Sequence, residues 1–149
     1  MQIADLCRGS VVVACRDSTV LEAAELMRRY HIGAIVVVDV PGGTQVPAGI
    51  VTDRDIAVGV VALGLDPADL TVGDIMTEKV VLVKENVDVF DAIETMRHEG
   101  FRRMPVVNDQ GTLTGIVSLD DVLPVVAQEL ADLARLPLVA WKQECEFRH

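Results

Sequence analysis

A chain of 149 residues has about the length of one domain, and half of its residues are apolar, which is enough to bury a sizeable core. Thirteen basic against twenty-three acidic side chains give a net charge of −10, which repels polyanions and argues against nucleic acid as a partner. With one Trp, one Tyr and three Phe, the core must be built from aliphatic side chains and Met, a composition common in α/β proteins.

The cysteines and the N-terminal stretch indicate where the chain works. Cys7, Cys15 and Cys145 are odd in number and show no metal-binding spacing, so we expect reduced, mostly buried thiols, with no disulfide framework and no metal site. Residues 1–5 lack the basic and then apolar run of a signal peptide, and no apolar stretch reaches membrane-spanning length. A cytoplasmic protein without membrane contact is expected.

In the first half of the chain, the order of elements begins with a strand and a helix. Residues 11–14 form a short apolar run bounded by polar residues, which predicts a strand. Thr19 with Glu22 three positions later has the spacing of a capping box and predicts a helix start. Leu21, Ala24 and Met27 then supply an apolar face at helical spacing.

Two strands and a second helix are predicted next. Residues 34–39 are apolar until the last position, which is typical of a central strand covered on both faces. A Pro- and Gly-rich loop at 40–47 leads into a strand at 48–52, so the two strands form a hairpin. The helix that follows is predicted at 53–60.

The chain then repeats this order. Residues 3–39 overlay residues 72–108 at an offset of sixty-nine, and residues 49–56 return sixty-six residues later as 115–122. The offset changes because the loop at 40–47 is three residues longer than its counterpart, and such slack belongs in a hairpin loop. Two copies of one supersecondary unit are therefore predicted.

The second copy has its own helix start and a long apolar helix at its end. Asp88 is its N-cap, with Asp91 at the third helical position. A helix at 123–136 is predicted to stop at Pro137, and the residues after it are a tail or part of a dimer contact. The predicted fold class is α/β (α+β), with β-α-β-β-α repeats. The predicted divisions are repeat 1 at 1–62, a linker at 63–71, repeat 2 at 72–130, and a C-terminal helix or tail at 131–149.

Each copy ends a buried strand in a hydroxyl and, three positions later, a carboxylate. The pairs are Thr52 with Asp55 and Ser118 with Asp121. An ionised carboxylate offers two acceptors, which match the adjacent 2′- and 3′-hydroxyl donors of a ribose. The same residues are equally suited to capping a helix and complementing its dipole without any ligand, and the two roles are compatible.

These paired motifs, the lead-in at 72–77 and the segment Phe101-Arg102-Arg103-Met104-Pro105-Val106-Val107 together resemble tandem cystathionine-β-synthase (CBS) domains over roughly residues 1–130. The resemblance implies two repeats packed sheet to sheet about a pseudo-twofold axis, frequently paired with a second chain. It also implies clefts between the repeats that bind adenosine-containing ligands.

Carried over position by position, the resemblance implies a set of ligand-binding residues. Asp55 and Asp121 would hold the ribose, and Thr52 and Ser118 would meet phosphate or ribose. The candidates for the apolar slot around the adenine are Ile35, Ile50, Met104 and Ile116, with Pro105 shaping the backbone beside it. The candidates for phosphate neutralisation are Arg54, Arg102 and Arg103.

The copies differ in their charges, so unequal clefts are expected. Arg54 lies inside the first motif where the second has Asp120, whereas the first copy has Gly33 and Ala34 where the second has its arginine pair. The sequence leaves open whether these cations serve one pocket or two. Arg102 and Arg103 could equally form a solvated surface pair.

The sequence offers no nucleophile with a recognisable base, and His31 and His98 are expected at the surface. The leading hypothesis is a regulatory, non-enzymatic module that senses AMP, ADP or ATP in its clefts and alters its contacts as a homodimer or with a separate regulated protein. The alternative is a structural dimerisation or interaction module with partly vestigial ligand sites. S-adenosylmethionine and dinucleotides share the adenosyl ribose and stay open as ligands.

Overall fold

The computed structural model describes residues 1–7 and 10–147, which form two three-stranded sheets with helices. In each sheet the first strand pairs with the second in parallel, and the second pairs with the third as an antiparallel hairpin. The predicted α/β class with two β-α-β-β-α units is confirmed. A short helix precedes each unit.

The first repeat contains helix α1 (Ile3–Leu6), strand β1 (Val13–Cys15), helix α2 (Val20–Tyr30), strand β2 (Ala34–Asp39), strand β3 (Val46–Thr52) and helix α3 (Asp53–Ile56). The capping box at the start of α2 is formed as predicted, because Glu22 N donates to Thr19 Oγ1 at 3.1 Å and Thr19 N donates to Glu22 Oε2 at 2.7 Å. The prediction for β2 is confirmed at both ends.

Three predicted elements of the first repeat differ from the structure. The strand predicted at 48–52 is β3, which begins two residues earlier, at Val46. The strand predicted at 11–14 is β1 at Val13–Cys15, because only these residues align with β2, from Val36 to Val38. The helix predicted at 53–60 is α-helical only over its first turn, and a π-helix follows at Ala57–Val61. Periodicity alone does not separate these two forms, since both keep the chain helical.

The second repeat contains helix α4 (Val72–Ile75), strand β4 (Val83–Lys84), helix α5 (Val89–Glu99), strand β5 (Arg103–Val107), strand β6 (Leu113–Ser118) and helix α6 (Leu119–Phe147). Asp88 caps α5 as predicted, accepting from Phe90 N at 2.9 Å.

Helix α6 differs from the prediction that it ends at Pro137. It passes through Pro124 and Pro137 and continues to Phe147. A proline removes one N–H donor from the ladder. Strong helix formers such as Ala, Leu, Lys, Gln and Glu lie after Pro137, and they support the helix on its far side.

The short lead-in helices cross between the repeats. Ile3 of α1 is fully buried in the core of the second repeat, beside Val89 and Met104. Val72 of α4 is fully buried in the core of the first repeat, beside Ala23 and Ile35. Each repeat therefore completes its core with a segment that precedes the other repeat in the chain.

The sheets also meet through an apolar layer of their own. Val36, Val38 and Leu113 are buried there, with Ile116 packed against them. Leu113 N donates to Gln45 O of the first hairpin at 2.9 Å. The sheet-to-sheet packing expected from the resemblance is present.

Cysteine burial differs from the expectation of mostly buried thiols. Cys7 is half-buried, whereas Cys15 and Cys145 are exposed, because Cys15 ends an edge strand and Cys145 lies on the projecting part of α6. His31 and His98 are exposed, as expected. Within the described part of the chain, no helix combines the length and the apolarity that crossing a bilayer requires.

Candidate functional site

A cleft of about 150 Å³ opens between the two repeats, and we call it the first cleft. The first repeat contributes the end of β3 and the start of α3. The second repeat contributes the chain between α4 and β4 and the start of β5. The lining residues are Ile50, Thr52, Asp55, Thr77, Lys79, Val80, Val81, Phe101, Arg102 and Arg103.

Backbone pairing holds the two walls of the first cleft together. Ile50 N donates to Thr77 O at 3.2 Å, and Thr77 N donates to Ile50 O at 2.9 Å. The approach requires a glycine beside Ile50, because a Cβ on Gly49 would lie 2.6 Å from Met76 Sδ and 3.0 Å from Thr77 O. The glycine that opens the motif therefore positions the second wall of the cleft.

Asp55 is held in place by the capping box of α3. Thr52 N donates to Asp55 Oδ2 at 2.8 Å, and Asp55 N donates to Thr52 Oγ1 at 3.1 Å. The hydrogen bond from Thr52 N uses Oδ2 of Asp55, so Oδ1 is the carboxylate oxygen that is available to a ligand. The predicted capping role of Asp55 is confirmed, and its ligand role stays a prediction.

Cations gather on the opposite side of the first cleft. Lys79, Arg102 and Arg103 line it, against the single carboxylate of Asp55, although the whole chain carries a net charge of −10. Lys79 Nζ lies 3.7 Å from Glu99 Oε2, but its side chain is 79% exposed, so this ion pair is weak and Lys79 can turn to an anion. In one ligand, the carboxylate can accept from sugar hydroxyls while the three cations bind a phosphate.

Not every predicted site residue reaches this cleft. Arg54 is exposed on α3 and does not line it. Ile35 and Met104 are fully buried in the cores of their own repeats, because their strand positions face the helices. Pro105 is buried beside Ile116 in the pairing of β5 with β6. Ile50, Thr52, Asp55, Arg102 and Arg103 are the predicted residues that the structure brings together.

Apart from Ile50, the apolar surface of the first cleft comes from residues that the sequence analysis did not assign to the site. Val80, Val81 and Phe101 take the place that Ile35 and Met104 were expected to fill. Thr77 and Lys79 were also missed. Residues 77–81 lie between α4 and β4 without regular structure, so periodicity gave no signal there. Phe101 was visible only as the first residue of the segment that carries the resemblance.

The second motif repeats the capping arrangement. Ser118 N donates to Asp121 Oδ2 at 2.8 Å, and Ser118 Oγ donates to the same oxygen at 2.6 Å. Cys7 lies against this motif as Met76 lies against the first, since a Cβ on Gly115 would come within 2.8 Å of Cys7 Cβ. The resemblance implies a counterpart cleft at Ile116, Ser118 and Asp121, and we call this region the second cleft.

The second cleft has a different electrostatic character. Burial first, and then the carboxylates of Asp121 and Glu85, together raise the pKa of the Cys7 thiol to about 11. The internal overlay places Ser10, Gly33 and Ala34 where the first cleft has its three cations. Residues 8 and 9, which precede Ser10, lie outside the described residues.

No group of three His, Cys, Asp or Glu side chains that could hold a metal ion occurs within residues 1–7 and 10–147. The ion pair that Lys79 of the cleft forms with Glu99 lies at the surface. The first cleft presents hydrogen-bonding groups and cationic side chains.

Two repeats that share their cores and build clefts from both halves define a tandem-repeat binding module. Comparison with known proteins gives the same result. The CBS domain family profile matches residues 3–61 and 72–128. The chain therefore belongs to the CBS-domain family and is a CBS pair, a class that is generally regulatory and ligand-binding.

The relatives and solved structures agree with this assignment. An uncharacterised protein of Methanopyrus kandleri is 35% identical over 84% of this chain, and the match spans 62% of the relative. A crystal structure of a CBS-domain-containing protein from Agrobacterium tumefaciens has a TM-score of 0.72 and 33% identity, covering 84% of this chain and 98% of that one. A hexameric CBS-CP12 protein from bloom-forming cyanobacteria has a TM-score of 0.72 and 32% identity, covering 83% and 69%.

Proposed function

We propose that this CBS pair binds an adenine nucleotide of the AMP, ADP or ATP type in the first cleft and acts as a regulatory module without catalysis of its own. Asp55 accepts from the ribose hydroxyls, and Thr52 assists at the start of α3. Lys79, Arg102 and Arg103 hold the phosphates, while Ile50, Val81 and Phe101 surround the base. The ligand is an allosteric signal and no catalytic cofactor is involved.

The observation that carries this proposal is the composition of the first cleft. Its sugar-binding carboxylate belongs to the first repeat, and its three cations belong to the second. A nucleotide that contacts both groups bridges the repeats and stabilises the arrangement in which they lie close. The ligand then shifts the packing of repeats by its differential affinity for the two arrangements.

The readout of such a shift is a change in contacts outside the cleft. The similar cyanobacterial protein is described as hexameric, and this supports self-association as one readout here. A homodimer, or a separate regulated protein, would report the occupancy of the cleft. Cytoplasmic adenine nucleotides are the ligand pool that this role requires.

Calorimetric titration tests the proposal. Protein freed of co-purified ligand is titrated with AMP, ADP, ATP and adenosine, with GMP as the control for the base. We expect saturable heat with at least one adenine nucleotide and a matching rise in melting temperature. Adenosine should bind more weakly, since it lacks the phosphate that the cations hold. Absent heat and absent thermal shift with all three nucleotides would overturn the proposal.

A further inference from the structure

Helix α6 leaves the body of the protein after its second turn. Val122 is buried, Val125 and Val126 are half-buried, and every residue from Ala127 to Phe147 is exposed. This projecting part has 21 residues and is about 32 Å long at 1.5 Å per residue. It ends far from the repeats that carry the clefts.

One side of α6 is apolar along most of this length. We call it the α6 seam, and its residues recur every three or four positions, as they do at the contact between two helices. The seam consists of Leu123, Val126, Leu130, Leu133, Pro137 and Trp141. Among them, Leu130, Leu133 and Trp141 are 62%, 59% and 65% exposed.

A helix of this kind is not stable by itself in water. An isolated helix of about 20 residues is marginal even with a favourable sequence. Pro137 in its middle costs about 3 kcal/mol of helix stability. The projecting part makes no packing contact that buries any of its residues, so the stabilising contact must come from another molecule.

We infer that the α6 seam is the interface between two copies of this chain. Full burial of a Leu side chain contributes about 1.5–3 kcal/mol, which at about 25 cal/mol/Å² corresponds to roughly 60–120 Å² of apolar surface removed from water. Burial of a Trp side chain removes about 150 Å² or more. With Leu138 and the small residues beside the seam, each copy would bury on the order of 600 Å² of its surface in the interface. The total of about 1,200 Å² reaches the lower end of stable protein interfaces.

Charge argues against a membrane surface as the occupant. The projecting part carries four acidic side chains, Glu129, Asp132, Glu144 and Glu146, against two basic ones, Arg135 and Lys142. Helices that lie on anionic bilayers are rich in Lys and Arg on their polar face. A second copy presents the same apolar seam, so a twofold pair covers both seams at once.

The α6 seam contains no residue of the first cleft, so its test is run on full-length protein without ligand. Molar mass is measured by light scattering and by sedimentation over a series of concentrations. The variants are Leu130→Glu and Leu133→Glu on the seam, and the matched control is Val139→Glu, which lies on the opposite side of the same helix and is 50% exposed. All three add the same charge to an exposed apolar position.

We expect the wild type and Val139→Glu to have twice the mass of the 16.1 kDa chain or a multiple of that dimer. Each seam variant should halve this mass, with at least a tenfold weaker apparent dissociation constant, because a buried unpaired carboxylate is costly. Circular dichroism should show helix loss with seam variants alone, while an unchanged melting transition of the repeats shows that they fold.

Three outcomes would overturn the inference. They are a monomeric wild type, seam variants of unchanged mass, and a control that dissociates as the seam variants do. If the wild type bound as a monomer to vesicles of phosphatidylcholine and phosphatidylserine, the seam would be a membrane contact and the dimer inference would be wrong. Stoichiometric capture of a different protein by a monomeric wild type would likewise contradict it.

Discussion

The two clefts of this protein share a motif and differ in the charged residues around it. Asp55 and Asp121 are both held by a capping contact through Oδ2, with Thr52 and Ser118 as their hydroxyl partners. The first cleft faces three cations, whereas the internal overlay gives the second cleft Ser10, Gly33 and Ala34 at those positions. The duplicated part carries the carboxylate that we propose for the sugar, and the divergent part differs in charge.

This difference follows from the way each cleft is assembled. The motif of the first repeat meets the lead-in and strand of the second repeat, so Arg102 and Arg103 equip the cleft whose carboxylate is Asp55. A substitution in one repeat therefore changes the cleft that carries the other repeat's motif. Two clefts of unequal charge can arise while both repeats keep their own cores.

The largest expected effect comes from removing the carboxylate of the first cleft. Asp55→Ala should weaken AMP binding about 100-fold, because two hydrogen bonds to a charged group contribute about 1.5 kcal/mol or more each. Asp121→Ala is the matched control, since it removes the equivalent residue of the second cleft. Calorimetry measures the affinity at the first cleft for both variants.

Asp55 also caps α3, so the same variant should lose about 1 kcal/mol of folding stability. Asp121→Ala removes a comparable cap and should lose a similar amount. Equal melting temperatures of the two variants with unequal AMP affinities would show that the weaker binding comes from lost ligand contacts and not from lost folding stability. Equal AMP affinities for the two variants would remove the proposed distinction between the clefts.

A smaller effect is expected from the cations. Replacement of Arg102 and Arg103 together by Ala should weaken AMP about tenfold and leave adenosine nearly unchanged, because partly exposed charge pairs contribute less than 1 kcal/mol each. Arg54→Ala, outside the cleft, is the control and should change neither ligand. The ratio of AMP to adenosine affinity is the quantity to measure.

If Arg54→Ala lowered this ratio as much as the double variant, the phosphate would lie on the α3 side of the cleft. If neither variant lowered it, the ligand would not use phosphate for affinity. Increasing salt should weaken AMP more than adenosine in the wild type, since exposed charges are screened. That difference should shrink in the double variant.

The smallest expected effect reports on the second cleft through Cys7. Its pKa of about 11 keeps the thiol protonated at neutral pH, so alkylation of Cys7 should lag behind that of the exposed Cys15 and Cys145. Asp121→Asn removes one of the charges that raise this pKa and should speed the reaction a few-fold. Asp55→Asn is the control, and mass spectrometry of alkylated peptides gives the rates.

The Cys7 thiol also makes the folding stability decrease at alkaline pH. Its folded pKa of about 11 lies above the ordinary value of 9.0, so the folded state keeps this proton longer than the unfolded chain. The contribution of Cys7 to the free energy of unfolding is fully present below pH 9 and is lost as pH rises towards 11. A Cys7→Ser variant should lose this part of the alkaline decrease in melting temperature.

Much of the fold and part of the site could be predicted from the sequence. The repeat, the caps at Thr19 and Asp88, and strand β2 follow from local patterns that the structure keeps. The site residues found in advance are those within the strand-to-helix motif and the arginine pair. They carry polar groups at positions where a core would not accept them.

The rest depended on contacts between segments far apart in the chain. The sequence does not show that Ile50 pairs with Thr77, so it could not place Lys79, Val80 and Val81 in the cleft. Ile35 and Met104 are apolar, as an adenine slot requires, but tertiary packing buries them in the cores of their own repeats. The helix through Pro137 also escaped prediction, because a proline is normally a helix boundary.

The exchange of lead-in helices has a consequence for synthesis on the ribosome. The first repeat lacks Val72 and Met76 of its core until those residues have left the exit tunnel. In turn, α1, which is made first, must wait for residues 83–122 before Ile3 can be buried. The core of the first repeat can therefore close once Met76 has emerged, whereas the core of the second repeat stays incomplete until Val122 has been added.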